Sequence, residues 1–112
     1  MNKYRLVLIL ENSEQTGDLL SDLAHKGFNA TVLIAKSLKH ILDEDDHDDD
    51  RMFISLRHLK STNTNDSTFA YFILDKDELD KVQNIVREET NHFTKIKGGM
   101  YYSEITTFEG SI

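Results

Sequence analysis

Residues 4–10 read Y-R-L-V-L-I-L, and residues 69–74 read F-A-Y-F-I-L. Extended chain sends successive side chains to opposite faces. The first run therefore sets Tyr4, Leu6, Leu8 and Leu10 on one side and Val7 and Ile9 on the other, and the second sets Phe69, Tyr71 and Ile73 against Ala70, Phe72 and Leu74. Strands apolar on both faces need protein on both faces. The remaining sequence supplies one layer of helix, so the expected source of the second layer is another copy of the chain.

The order of elements follows from local signals. After the first strand, Asn12-Ser13-Glu14-Gln15 marks a helix start, because a short oxygen-bearing side chain accepts from the first free amides and Gln15 returns the bond. The helix runs to about Lys26, with Leu19, Leu20, Leu23 and Ala24 as its stripe and Gly27 as a left-handed stop. Residues 30–35 (A-T-V-L-I-A) form a second strand. From residue 69 the pattern repeats: a strand, an Asp75 cap with Glu78 three residues on, a helix to about Glu89 bearing Leu79, Val82, Ile85 and Val86, and a β-rich run at 100–107. Two βαβ halves predict an α+β fold, the ferredoxin-like βαββαβ sandwich, with both helices on one face of a four-stranded sheet. The other face is left open, and an open apolar patch marks an association surface, the alternative being that the long segment between the second and third strands folds back over it.

At 112 residues this is a single domain, 1–112, with one modest core. There are no cysteines, which suits a reducing compartment and removes thiolate chemistry. The N-terminus enters a strand directly with no targeting or membrane segment, so a cytoplasmic location without membrane insertion is expected. The net charge of −7 is local. Residues 43–50 (D-E-D-D-H-D-D-D) hold seven acidic residues, and removing them from the 20 in the chain leaves 13 against 13 Lys and Arg. The folded body is neutral; nucleic acid is not an expected partner.

Residues 36–67 form a long insertion between the second and third strands. Ser37 caps a short helix over 37–42, the acidic run follows, residues 51–59 fit helix and strand periodicities equally, and the polar stretch from residue 60 reads as loop. The acidic run lacks the alternation and central glycine of a calcium loop, so no metal site is assigned. Nor is there a nucleophile elbow, a Cys-His pair or an H-E-x-x-H helix, and an enzyme is not expected. Five histidines (25, 40, 47, 58 and 92) are scattered without metal-ligand spacing. The candidate anion site is T-K-I-K-G-G, residues 94–99. Its glycines admit close backbone approach, and Lys95 and Lys97 bring charge. The helix start at Ser37, with Lys36, Lys39 and His40 beside it, is a second anion-favouring element. Arg57 and His58 lie on the return arm of the insertion.

This order of parts resembles the PII signalling superfamily. The matching motifs are G-F-N-A-T-V-L-I-A-K (27–36) and T-K-I-K-G-G-M-Y-Y (94–102), the latter similar to the family's T-G-K-I-G-D-G-K-I-F. The resemblance implies a trimeric PII-like assembly that binds adenyl nucleotide, ATP or ADP, in the clefts between subunits. It places Thr31 and Lys36 near base or ribose and Lys95, Lys97, Gly98 and Gly99 around phosphates. The family's arginines after the fourth strand are missing here, since the chain ends T-T-F-E-G-S-I. Their cationic role would pass to Lys39, His40, Arg57 and His58, with Ser37 a further nucleotide-binding candidate at the helix start. The function so implied is that of a non-enzymatic sensor without a resident cofactor, a homotrimer that regulates a partner protein such as a membrane transporter. The alternatives are a receptor for a cyclic dinucleotide or small metabolite, and a structural or metal-tolerance trimer without a nucleotide site.

Overall fold

The structure is a computed structural model that describes residues 2–36 and 66–111. The expected helix at 37–42, the acidic run, the segment 51–59 and the loop from residue 60 to 65 lie outside the described residues. The elements are β1 (Lys3–Glu11), α1 (Glu14–His25), β2 (Thr31–Ala35), β3 (Ser67–Leu74), α2 (Lys76–Thr90) and β4 (Gly98–Ile105). They form one four-stranded sheet ordered β2-β3-β1-β4, with every neighbouring pair antiparallel. That order places the two doubly apolar strands, β1 and β3, at the centre. It is the ferredoxin-like arrangement expected from the βαββαβ order.

Register fixes which side chains share a face. Leu6 pairs with Phe72 and Leu8 with Ala70 across β1 and β3. Together with Leu10 and Leu74 these pack under Leu19 and Leu23 of α1 and Leu79, Val82 and Val86 of α2. Both helices thus cover one face. Removing a side chain such as Phe72 or Leu6 from this core costs about 2–5 kcal/mol. The other face carries Arg5, Val7 and Ile9 of β1, Phe69, Tyr71 and Ile73 of β3, Thr31 and Leu33 of β2, and Tyr101 and Ser103 of β4. Among the described residues no element lies across it. Leu33 is 55% exposed, Tyr101 51% and Ile9 44%. Val7 is the exception, buried because its partners on both sides are tyrosines, Tyr71 and Tyr101.

The helix ends show where local sequence decides. The α1 cap is Ser13, whose Oγ accepts from the Thr16 amide at 3.2 Å, while the Thr16 hydroxyl donates to the Glu11 carbonyl at 2.6 Å. This differs from the expected return bond by Gln15. The Asn12 amide is committed to the Asp66 carbonyl (2.8 Å), so Asn12 ends the strand and the cap moves one residue on. The α2 start is as expected: the Glu78 amide donates to Asp75 Oδ1 (2.9 Å) and the Asp75 amide to Glu78 Oε1 (3.2 Å). Its far end closes through three successive residues at positive φ, Asn91, His92 and Phe93. Asn tolerates that region, whereas a bulky residue there costs on the order of 1–3 kcal/mol. The run is held by Thr90, whose hydroxyl accepts from the Phe93 amide (3.1 Å) and whose carbonyl accepts from the amides of Thr94 (3.1 Å) and Lys95 (2.9 Å).

β4 starts at Gly98, two residues before the expected Met100, so the glycine pair belongs to the strand. Gly98 pairs with Leu10 and Gly99 with Ile9. A Cβ on Gly98, which sits at φ +149°, would lie 2.1 Å from the Ile9 carbonyl oxygen and 2.8 Å from the Leu10 Cα; one on Gly99 meets nothing. Gly98→Ala is therefore expected to destabilise the fold by more than about 1 kcal/mol, and Gly99→Ala to leave it unchanged or slightly more stable, in chemical denaturation. Equal effects of the two would remove the close-approach argument.

Across the helix pair, Asp22 of α1 ion-pairs with Lys26 at 2.9 Å and shares a hydrogen bond with Glu89 of α2. The Lys26 bond holds the Asp22 carboxyl below its usual range. Glu89 is pushed up to about 7, by burial first and then by the Asp22 bond. A carboxyl that titrates higher in the folded than in the unfolded chain stabilises fully below its unfolded value, 4.5, and that stability is lost as pH rises through about 7. The depressed Asp22 works in the opposite sense, losing its contribution only as pH falls below its usual 3.8. Between pH 5 and 8 Glu89 sets the sign, so wild type should lose thermal stability relative to Glu89→Gln as pH rises. Parallel melting curves for the two across that range would refute it.

Candidate functional site

One end of the sheet gathers most of the described candidates. β1 finishes there, β2 finishes there, and β3 and β4 begin there: Ala35 pairs with Ser67, Ser67 with Glu11, and the Glu11 amide donates to the Lys97 carbonyl at 2.9 Å. Lys36 follows β2 at this end, half-buried, and Lys95 and Lys97 are exposed. Thr31 is at the other end of β2, about 16 Å away along the strand. It faces the open side of the sheet beside Tyr71.

The sheet order separates these residues into two groups. Thr31 belongs to one edge strand, β2, with Lys36 just past its end, and Gly98 and Gly99 to the opposite edge strand, β4. Three strand spacings, about 14 Å, lie between the edges. Within one chain the two halves do not meet. Ser37, Lys39, His40, Arg57 and His58 lie outside the described residues.

The loop before β4 is a poorer anion cradle than its sequence suggests. The Phe93, Thr94 and Lys95 amides are taken by Thr90, and the Lys97 amide donates to the Glu11 carboxylate (Oε1, 3.2 Å). Ile96 is buried in the core. What the loop offers outward is two exposed lysines, Lys95 and Lys97, with the Glu11 carboxylate on the Lys97 amide. Among the described residues no group of three potential metal-ligating side chains exists, and no helix is long and apolar enough to cross a membrane.

The open face holds two hollows. One of about 310 Å³ is lined by Arg5, Val7, Phe69, Tyr71 and Tyr101. Another of about 560 Å³ adjoins it at Arg5 and runs toward Ile105, Thr107 and Phe108. On the helix side, Val32 and Ile34 of β2 are 44% and 42% exposed. The two helices reach β1 and β3 but cover this edge strand only in part, leaving a small hollow of about 90 Å³ between Leu20, Phe28 and Val32.

No family model matches the sequence, and no curated protein matches it. Among solved structures the fold is similar to that of a functionally unknown protein from Pediococcus pentosaceus ATCC 25745, with TM-score 0.58 and 11% identity over 99% of each chain. It is also similar to GlnK of B. subtilis, with TM-score 0.51 and 10% identity over 95% of this chain and 87% of that one. At such identities the likeness is one of fold alone, and the fold is PII-like.

Proposed function

We propose that this chain is a non-enzymatic regulatory protein that assembles as a homotrimer, takes an adenyl nucleotide, ATP or ADP, in clefts between copies, and signals occupancy to a partner protein such as a membrane transporter. The observation that carries the reading is the division of the candidate residues between opposite edges of one sheet. Lys36 on the β2 side and Lys95, Lys97 and Gly99 on the β4 side come together only if one copy lends its β2 edge and another its β4 edge. The uncovered apolar face supports the same assembly, since Leu33, Ile9 and Tyr101 would leave water when copies pack against it. The PII-like fold is consistent with both. A second reading, a receptor for a small metabolite, is favoured by one observation: the amide of Lys97 is already bonded to Glu11, leaving charge rather than a backbone cradle for phosphate.

A thermal-shift panel with ATP, ADP, cyclic dinucleotides and small metabolites, run beside sedimentation velocity, tests these readings, because a ligand that binds only folded protein raises the melting temperature with concentration. The trimer and a rise with ATP or ADP are expected. Lys97→Ala should weaken nucleotide binding by about 2- to 5-fold, the scale of an exposed charge contact, and Glu11→Gln should strengthen it by removing the negative charge beside the Lys97 amide while leaving that amide an acceptor. Leu33→Lys, which places a charge on the open face of an edge strand, should shift the protein toward monomer. A monomeric wild type at micromolar concentration, or nucleotide affinity indifferent to both Lys97→Ala and Glu11→Gln, would overturn the proposal.

A further inference from the structure

Arg5 stands on the open face of a central strand, an unusual position for a cation. Its cross-strand partners are Ile73 on β3 and Ser103 on β4, and Val7 is the next residue on the same face. Among the described residues it has no ion-pair or hydrogen-bond partner. Guanidinium does not lose its proton in proteins, so the charge stays. The two hollows of the open face meet at this side chain, an aromatic one walled by Phe69, Tyr71 and Tyr101 and a mixed one bearing Ser103, Thr106, Thr107 and Phe108. Their volumes are about 310 and 560 Å³, and in the single chain both are open to solvent. Glu104 also borders the second hollow. By register it belongs with Tyr4 on the helix side, and its carboxylate accepts from the Asn2 side-chain amide.

We propose that Arg5 is the anchor of a binding site for a small organic carboxylate with a flat apolar body. The guanidinium fork matches the two oxygens of a carboxylate, the Ser103 hydroxyl beside it is a further donor, and the aromatic walls accept an apolar body lying across Val7. A single cation at the junction suits a monoanion. Lys3, one strand repeat farther along the same face, is the next cation in register. The site deepens the proposed assembly and rests on it in one respect: a second copy covering this face would turn an open hollow into a closed one, and the Arg5 charge would then need an anion all the more.

The test uses benzoate as probe, benzamide as its uncharged counterpart and chloride as a simple anion, on the full chain. Benzoate is expected to raise the melting temperature and to perturb tyrosine fluorescence in a saturable way at millimolar concentration or below, with benzamide and chloride inert. Arg5→Met should fold as wild type in plain buffer and lose benzoate affinity by more than about tenfold, the scale of a charge-assisted hydrogen-bond pair. Equal benzoate binding by Arg5→Met, or equal binding of benzamide, would overturn the site. So would a wild type indifferent to benzoate. If Arg5→Met instead dissociates an oligomer that wild type forms without any added anion, Arg5 pairs with a carboxylate of the neighbouring copy and the proposal fails. Sedimentation read in parallel separates the two ideas: a trimer blind to benzoate sinks the site alone, and a monomer that binds it sinks the assembly alone.

Discussion

The mismatch between two strand faces and one helical layer governs this molecule. β1 and β3 are apolar on both sides, and the helices α1 and α2 dock on only one of them. On the covered side Leu6, Leu8, Phe72 and Leu79 are fully buried. On the other, Val7 is sheltered by the tyrosines paired with it, whereas Ile9 and Leu33 remain in water. A sheet can shade one small residue with its own aromatics. It cannot hide a row of them, and this residual apolar surface is the physical reason to look for assembly.

The elements with strong periodicity were legible in the sequence. β1 and both helices lie within a residue or so of their expected bounds, because alternation and 3.6-residue spacing coincide with burial, while β3 begins at Ser67, two residues before the expected Phe69 and inside the stretch read as loop. The errors fell where tertiary contacts outvoted local signals. Asn12 looks as good a cap as Ser13 until its amide is claimed by Asp66, a partner 54 positions away in sequence. β4 reaches back to Gly98 because β1 extends to Glu11 and offers a ladder there; glycine's low strand propensity hid this. The left-handed run through Phe93 gave no signal beyond Asn91, since nothing about His or Phe announces positive φ.

The candidate site was legible as a set of residues and not as a geometry. Two glycines and two lysines before a strand suggest backbone amides free for an anion, but the amides are spent on Thr90 and on Glu11, and Gly98 is explained by the Ile9 carbonyl it must pass. Composition cannot reveal that a donor is already engaged. Arg5 escaped notice for a related reason. Sorting the first strand by its apolar residues sets the polar one aside, and only the register with Ile73 and Ser103 shows that it stands amid the face that the apolar residues define.

The separation of the candidates also limits which symmetry the proposed function can use. An edge-to-edge twofold contact sets like against like, so it would bring β2 to β2 or β4 to β4 and leave Lys36 and Lys97 on different sides of the assembly. Among edge-to-edge contacts a head-to-tail one joins the unlike edges, and such contacts either close into rings or propagate as filaments. The open face decides between these outcomes. Copies arranged around an axis with their sheets turned inward bury Leu33, Ile9 and Tyr101 against one another, and a ring gains that burial in every copy with no exposed end. A nucleotide cleft of the kind proposed, built along the edges from β2 of one copy and β4 of the next, would suit a cyclic assembly, and a small ring of inward-facing sheets is one form that satisfies the edges and the apolar face together.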